Sequence, residues 1–274
     1  MRFADIEKFA IPAFNYSDVW DAIAIAEAAN EENAIVMLAS VPPVVDLIGL
    51  DMCDAIGKTL SNRMNTPVIH HLDHSYMLEL CKDAVDIGYP SIMFDGSNKT
   101  FEQNTKMTKE IVAYAHVHSV HVEGELGKIK GNGVEGTFNG GKFLTEVDEA
   151  VEFVQSTGVD SLAIGIGTAH GFYYGEPEIN FQRLVEINEA IATPLVLHGG
   201  TGLSEEGVKK AIAYGINKVN IGTAINTTYM NSVRIKLVES GENTLSFGVY
   251  KVVVPKIKNL VKKWIKICGA DNRV

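Results

Sequence analysis

The chain has 274 residues, of which 46% are hydrophobic and 21% charged, with a formal net charge of −10. This composition is typical of a folded globular protein, and its acidic balance argues against general nucleic-acid binding, which needs a basic face. No stretch resembles a membrane span or a signal peptide, and three widely spaced cysteines make a disulfide framework improbable, so we expect a cytoplasmic protein without membrane association.

Eight short apolar segments recur along the chain and predict eight β-strands separated by helices. They cover residues 11–15, 34–40, 67–73, 91–97, 120–127, 161–168, 194–200 and 218–223. Because most are apolar at nearly every position, both faces of each strand are expected to be buried, as in a parallel sheet covered by helices. The pattern predicts an α/β protein with one domain over residues 1–274, a TIM (β/α)8 barrel; a doubly wound open sheet is the alternative.

Helix boundaries are also predicted from local signals. Ser17 is placed as the N-cap of the first long helix, and Ser204 as the cap of a later one. Thr145 and Gly158 are expected to begin and end a third helix. The segment 256–266 reads KIKNLVKKWIK, which predicts an extra C-terminal amphipathic helix with a solvated basic face.

The position of the polar residues favours the barrel over the open sheet. Most apolar segments end, at their C-terminal edge, in polar residues or glycine: Asn15, Ser40, Asp73, His74, Asp95, Glu123, Glu125, His170, Gly171, His198, Gly199 and Asn220. In a TIM barrel these edges share the face on which active sites are built. Residues up to two hundred positions apart are therefore expected to meet at one mouth.

Three histidines at these edges form the first candidate site. His74, His170 and His198 follow the third, sixth and seventh predicted strands, and three neutral imidazoles with an open position are a known catalytic zinc arrangement. The alternative is that each is a hydrogen-bonded structural residue. His70 and His71 lie within the third strand and should point to opposite faces; either could be a packing or supporting residue, and neither is assigned a role.

Glycine and threonine cluster at three neighbouring edges. The segments GTAHGFYYG (167–175), HGGTGLSEEG (198–207) and NIGTA (220–224) combine glycines, which let a backbone approach an anion closely, with hydroxyl donors. Together they predict a phosphate site, although each alone could be an ordinary turn.

Two carboxylates have candidate roles in proton transfer. Asp73 adjoins a proposed metal ligand and could exchange a proton with a group beside the metal. Glu135 lies in the glycine-punctuated segment 128–142, which predicts a loop that could close over a substrate. For Glu135 the alternative is an ordinary solvated acid.

The motifs together resemble the class II, metal-dependent fructose-bisphosphate and tagatose-bisphosphate aldolase family. HLDHS (71–75), EGELG (123–127), GIGTAHG (165–171), VLHGGTGL (196–203) and VNIGTA (219–224) occur in family order and spacing. The resemblance extends from about residue 10 to about residue 238 and implies the TIM barrel as well.

The resemblance implies cleavage of a ketose 1-phosphate or 1,6-bisphosphate to dihydroxyacetone phosphate and an aldehyde. His74, His170 and His198 would hold one catalytic Zn²⁺ per subunit, and Asp73 would be the acid/base at the departing aldehyde oxygen. Asp95 and Glu125 match positions near the metal or at an alternative metal location, which leaves room for a second metal or a monovalent cation.

The remaining motif positions imply substrate contacts and assembly. Asn220 matches a residue that binds the carbon skeleton, Asn15 and Ser40 match contacts to the distal half, and Glu135 is the nearest match to a mobile acid. The phosphate pocket would be formed by Gly171, Gly199, Thr201, Gly222 and Thr223. The family further implies a homo-oligomer, a dimer or a tetramer, that acts in carbohydrate metabolism such as glycolysis.

Three departures from the family pattern bear on the substrate. The segment after the fifth strand, KIKGNGVEG, lacks the usual paired glycines and consecutive acids, and Gly222 stands where fructose-bisphosphate members often have aspartate. The segment NTLSFGVYKVVVP (243–255) has no arginine for a distal phosphate. A ketose 1-phosphate with another distal group therefore remains an alternative substrate.

Other functions fit these residues less well than an aldolase does. A lysine Schiff base is disfavoured because no predicted strand end supplies a lysine, and Lys218 comes too early in the eighth strand. A metal-independent phosphate-binding isomerase and a catalytically inactive sugar-phosphate sensor are the remaining alternatives.

Overall fold

The computed structural model describes residues 1–127, 144–168, 179–241 and 244–274. Eight parallel strands close into a barrel in sequential order, because β1 pairs with β8 as well as with β2. The strands are β1 (Ile11–Asn15), β2 (Val36–Ser40), β3 (Val68–Ser75), β4 (Ser91–Phe94), β5 (His121–Leu126), β6 (Ser161–Ile164), β7 (Leu195–Leu197) and β8 (Ile216–Ile221). The predicted TIM barrel is confirmed, and the open sheet is excluded.

All eight predicted strands are present, but several end earlier than expected. β4, β6 and β7 end at Phe94, Ile164 and Leu197, directly before the polar and glycine residues that the sequence placed at the strand edges. Those residues leave the sheet and begin the loops of the barrel mouth, the place where this fold builds its sites.

Helices surround the barrel, and none in the described ranges combines the length and apolar character that crossing a membrane requires. They are α1 (Arg2–Glu7), α2 (Val19–Glu31), α3 (Pro42–Ile48), α4 (Leu50–Arg63), α5 (Leu78–Ile87), α6 (Phe101–Val117), α7 (Val147–Thr157), α8 (Phe181–Ala190), α9 (Glu205–Ala213), α10 (Thr223–Ser240) and α11 (Ser246–Ile267).

The predicted N-cap at Ser17 is wrong by one residue. Asp18 caps α2, and its carboxylate accepts hydrogen bonds from the backbone N–H groups of Trp20 and Asp21. The Asp21 carboxylate accepts in return from the Asp18 N–H, so the two acids form a capping box. A carboxylate is as good an N-cap as a hydroxyl, so residue type alone does not separate Ser17 from Asp18.

The other predicted boundaries have mixed outcomes. Thr145 does not cap α7; its hydroxyl donates instead to the Leu126 carbonyl, and Glu146 is the N-cap residue. Gly158 ends α7 in the left-handed conformation, as expected. Ser204 caps α9 by accepting from the Gly207 N–H, also as expected.

The C-terminal helix α11 is amphipathic as predicted, but its basic face is not simply solvated. The face packs on α2, where Lys258 contacts Glu27 at 3.1 Å and also contacts Glu31, and Lys266 contacts Glu32 at 3.2 Å. The hydrogen bond and charge of Glu31 raise the pKa of Lys258. Part of the basic face is therefore paired with acids of α2, while Lys266 remains largely exposed to solvent.

Two apolar regions hold the barrel together. The larger lies between the sheet and its helices, and a small separate cluster of Met93, Ala163 and Val196 is fully buried inside the barrel. Several other inward-facing side chains are polar and contact one another across the barrel, as Glu123 of β5 and Lys218 of β8 do. The core thus supports a polar interior that leads to the mouth.

Candidate active site

Two consecutive residues of β3, Asp73 and His74, both contact side chains of other strands at the mouth. In a regular strand, neighbours point to opposite faces. Here the pairing of β3 with β4 shifts between Leu72 and Ser75, and His74 has a φ of 50°, a value uncommon outside glycine. This irregularity has the character of a β-bulge, which re-aims side chains near active sites, and it allows both residues to serve one site.

Two amides hold the carboxylate of Asp73. Asn15 Nδ2 of β1 donates to Asp73 Oδ2 at 2.7 Å, and Asn220 Nδ2 of β8 donates to both carboxylate oxygens at 3.0 and 3.1 Å. Burial alone would raise the pKa of Asp73, but the charges of His74 and Lys218 are among those that hold that pKa well below its usual value. The carboxylate is therefore ionised and able to accept a proton.

The imidazoles of His74 and His198 face each other at the mouth. His74 Nε2 lies 2.8 Å from His198 Nδ1, while His74 Nδ1 lies 3.1 Å from Asp95 Oδ2 and His198 Nε2 lies 2.9 Å from Glu123 Oε1. Burial lowers the pKa of His198 to about 4, with His74 adding to the effect and Glu123 opposing it. When the outer nitrogens donate to these carboxylates, the two inner nitrogens carry lone pairs directed at one region, an arrangement suited to a cation.

Within the described ranges, two overlapping groups of side chains could hold a metal ion. The ligand atoms of Asp73, His74 and His198 lie within 4.8 Å of one another, and so do those of His74, Asp95 and Glu125. All five side chains are buried. The first group contains two of the predicted ligands, and the second coincides with the predicted alternative location.

The charge of the site also fits a divalent cation. Among the described residues of the barrel interior, one buried ammonium, that of Lys218, stands against four buried carboxylates: Asp73, Asp95, Glu123 and Glu125. Buried charges require compensation, and a divalent cation would supply it. The third predicted ligand, His170, lies outside the described residues.

The loops after β7 and β8 meet as expected for a phosphate site. Thr201 Oγ1 accepts a hydrogen bond from the Ala224 N–H in the first turn of α10, and Gly222 and Thr223 are the N-cap and first residue of that helix. Gly199 has a φ of 72°, a conformation that glycine adopts without strain. Hydroxyl groups and the amide end of α10 are thereby brought together.

Among the described site residues, Ser40 makes no hydrogen bond to the side chains of Asp73, His74 or His198. Ser40 is fully buried at the end of β2, where its hydroxyl lies 3.2 Å from that of Tyr89 and 3.4 Å from the His71 carbonyl. Glu135 and Gly171 lie outside the described residues. The contact of Ser40 with a substrate therefore stays a prediction.

Sequence reasoning underrated Glu123 and Lys218. The sequence pattern indicates no role for Glu123 and places Lys218 early in its strand, yet both are buried in the barrel interior, with Lys218 Nζ 2.7 Å from Glu123 Oε2. The alternation of strand residues offered a signal, since Glu123 and Lys218 lie two positions before Glu125 and Asn220 and share their faces.

His70 and His71 occupy opposite faces of β3, as predicted. His71 faces the interior and lies 2.8 Å from Ser91 Oγ through Nδ1. His70 packs on Tyr89 with ring centroids 3.8 Å apart. Only His71 is therefore in a position to support the site.

Comparison with known proteins places this geometry in a family. The Fructose-bisphosphate aldolase class-II family matches residues 1–273. The structure resembles the YdjI aldolase from Escherichia coli K12, with 29% identity, a TM-score of 0.86 and coverage of 99% of this chain and 96% of that chain. It also resembles a putative fructose-1,6-bisphosphate aldolase from Coccidioides immitis, with 28% identity, a TM-score of 0.91 and coverage of 99% and 95%.

A more distant structure shares the fold. Fructose-bisphosphate aldolase from Campylobacter jejuni is 20% identical, with a TM-score of 0.81 and coverage of 100% of this chain and 94% of that chain. At this identity the likeness extends to the barrel alone. The family match over nearly the whole chain, together with the buried histidine and carboxylate groups, shows that the protein belongs to the class II fructose-bisphosphate aldolases, a family of generally metal-dependent lyases that act on sugar phosphates.

Proposed function

We propose that the protein is a metal-dependent aldolase that reversibly cleaves a ketose 1-phosphate or 1,6-bisphosphate, of the fructose or tagatose type, to dihydroxyacetone phosphate and an aldehyde. The observation that carries this proposal is the juxtaposition of an ionised Asp73, held by Asn15 and Asn220, with the facing nitrogens of His74 and His198. A proton acceptor beside a candidate metal site is the combination that metal-dependent aldol cleavage requires.

His74 and His198, together with His170 by family resemblance, would hold one Zn²⁺ per subunit. When bound, the ion would polarise the substrate carbonyl and stabilise the negative charge that develops on the substrate oxygens. Asp95 and Glu125 support an alternative position through the second group of ligand atoms, and a second metal or a monovalent cation would also be compatible with the acidic interior.

Asp73 would handle the proton on the C4 oxygen. In cleavage its carboxylate takes the C4 hydroxyl proton as the C3–C4 bond breaks, and in condensation it returns that proton to the aldehyde oxygen. The amides of Asn15 and Asn220 fix the carboxylate in place, and Asn220 would also contact the carbon skeleton. Glu135 is our candidate for the acid that exchanges a proton with the dihydroxyacetone phosphate carbon.

The phosphate of dihydroxyacetone phosphate would bind at the amide end of α10. Thr201 already contacts the first turn of this helix, and the helix terminus favours an anion. The other members of this site would be Gly171, Gly199, Gly222 and Thr223.

The distal group of the substrate need not be a phosphate. The segment before and at the start of α11, residues 243–255, has no arginine, and arginine is the preferred bidentate phosphate partner. This observation favours a ketose 1-phosphate with a different distal group, contacted by Asn15 and Ser40. Family membership supports a cytoplasmic homo-oligomer, a dimer or a tetramer, in carbohydrate metabolism such as glycolysis.

The test is release of dihydroxyacetone phosphate from fructose and tagatose 1-phosphates and 1,6-bisphosphates. Activity should disappear with EDTA and return with Zn²⁺, and persistence in metal-free protein would refute the proposal. Isomerisation without cleavage would identify a metal-independent isomerase, and binding without turnover would identify a sensor. A strict requirement for the 6-phosphate would refute the argument from the missing arginine.

A further inference from the structure

A buried lysine lies at the centre of the barrel, below the candidate metal site. Lys218 of β8 has no exposed surface, and its ammonium lies 2.7 Å from Glu123 Oε2 and 3.2 Å from His71 Nε2. Burying an ammonium is costly unless its partners are well placed. Its two partners contact different parts of the site: Glu123 contacts the candidate metal ligand His198, and His71 lies beside the candidate acid/base Asp73. These two sets of contacts form two branches that start from Lys218.

The first branch leads to a candidate metal ligand. Glu123 Oε1 lies 2.9 Å from His198 Nε2, so the carboxylate is bound by Lys218 on one oxygen and by the imidazole on the other. A carboxylate that accepts the outer N–H of an imidazole fixes both the tautomer and the direction of the inner nitrogen. Here the inner nitrogen, His198 Nδ1, is directed at His74 Nε2, 2.8 Å away.

The second branch leads to the candidate acid/base. An ammonium can only donate hydrogen bonds, so His71 Nε2 must accept from Lys218, and His71 Nδ1–H then donates to Ser91 Oγ at 2.8 Å. In this tautomer the His71 ring is fixed with Nε2 3.7 Å from Asp73 Oδ1. Lys218 therefore holds the ring that packs beside the Asp73 carboxylate.

We propose that Lys218 is a positioning residue that holds His198 through Glu123 and fixes the His71 ring that packs beside Asp73, so that one ammonium orders the metal-binding and the proton-transferring sides of the site relative to each other. This inference rests on the proposed function for its catalytic consequence, but its geometric content concerns the tautomers of two histidines and can be tested without metal or substrate.

The first experiment measures those tautomers in the metal-free wild-type protein at neutral pH by ¹⁵N NMR of the imidazole nitrogens. The proposal expects His198 to carry its proton on Nε2 and His71 on Nδ1. Observation of the opposite tautomer at His71 would overturn the proposal, because an Nε2–H cannot accept from Lys218. This result is independent of whether the protein proves to be an aldolase.

The second experiment uses K218M and the double variant K218M/E123Q, which removes the carboxylate that K218M would leave buried without its cation. We expect each folded variant to bind Zn²⁺ about 10- to 100-fold more weakly than the wild-type protein in a chelator competition. The visible absorption spectrum of bound Co²⁺ should differ from that of the wild-type protein. In steady-state kinetics, the fold decrease in kcat should exceed the fold increase in KM.

The matched control is K258M, which removes a lysine that pairs with Glu27 and Glu31 away from the mouth. It should leave metal affinity and the Co²⁺ spectrum unchanged. If K218M/E123Q folds and keeps wild-type metal affinity, Co²⁺ spectrum and kcat, the positioning role is refuted. Failure of wild-type protein to cleave any ketose phosphate would refute the proposed function instead. The tautomers measured for His71 and His198 would still test the positioning role of Lys218.

Discussion

His74 Nε2 and His198 Nδ1 face each other at 2.8 Å, while carboxylates contact the other nitrogen of each ring. A cation bound between these two nitrogens would gain ligand bonds that exist only in the folded protein, because unfolding separates His74 from His198. We therefore expect Zn²⁺ to raise the thermal unfolding temperature and EDTA to lower it.

The size of this effect follows from mass action. A ligand that binds only the folded state at about 100 times its Kd stabilises that state by about 2.7 kcal/mol. Differential scanning calorimetry with and without Zn²⁺ would measure it, and H74A is the control, since it should unfold at the same temperature in both conditions. A Zn²⁺ effect that survives in H74A would place the ion elsewhere.

Substitution of Asp73 should separate metal binding from proton transfer. In D73A we expect Zn²⁺ to remain bound, because the histidines provide the ligands, while cleavage falls by about 10² to 10⁴, the usual contribution of a general acid or base. Metal content by atomic absorption and the rate of dihydroxyacetone phosphate release are the measurements. Loss of metal along with activity would show that Asp73 is itself a ligand, as its proximity to both imidazoles would permit.

Gly222 should be required for the position of Asn15. A Cβ atom at residue 222 would lie 2.6 Å from Asn15 Oδ1, so G222A would displace the amide that donates to Asp73 at 2.7 Å. We expect kcat to fall by about tenfold, equivalent to one hydrogen bond of about 1.4 kcal/mol.

The matched control for this variant is G248A in α11, where a Cβ would meet nothing within 4 Å. It should leave kcat unchanged and add up to about 1 kcal/mol of stability, because alanine is the better helix former. Steady-state kinetics and thermal melts of both variants provide the comparison, and equal kcat values for the two would contradict the proposed role of Asn15.

The cysteines should be unreactive in the folded protein. Cys53, Cys81 and Cys268 are all buried, and burial raises the pKa of Cys81 to about 12 and shifts the pKa of the other two upward. Since the thiolate is the reactive form, a colorimetric thiol reagent at pH 8 should label the native protein negligibly and all three residues after denaturation. Rapid labelling of native protein would indicate local opening.

Much of the fold and site followed from the sequence, because strand alternation and strand ends are encoded locally. The apolar segments identified all eight strands, and the edge residues Asp73, His74, His198 and Asn220 do meet at the mouth. Local patterns at separate strand ends are sufficient to locate the site, because closing the barrel brings the C-terminal ends of all the strands to the same face.

The features that escaped prediction depend on contacts between strands. Regular alternation would have put Asp73 and His74 on opposite faces, and only the register shift against β4 places both at the mouth. The proposed role of Lys218 likewise depends on its contacts with Glu123 of β5 and His71 of β3. Such pairings join residues up to 147 positions apart, and no local pattern records them.

The packing of α11 on α2 has a consequence for synthesis on the ribosome. The apolar side of α2 is covered by α11, which is synthesised more than two hundred residues later. Similarly, β1 cannot complete its pairing until β8 has been synthesised. Nascent chains that lack α11 should therefore expose apolar surface and attract chaperones. Until the lysines of α11 have been synthesised, one edge of α2 would stay hydrated, because it carries the acidic residues Glu27, Glu31 and Glu32.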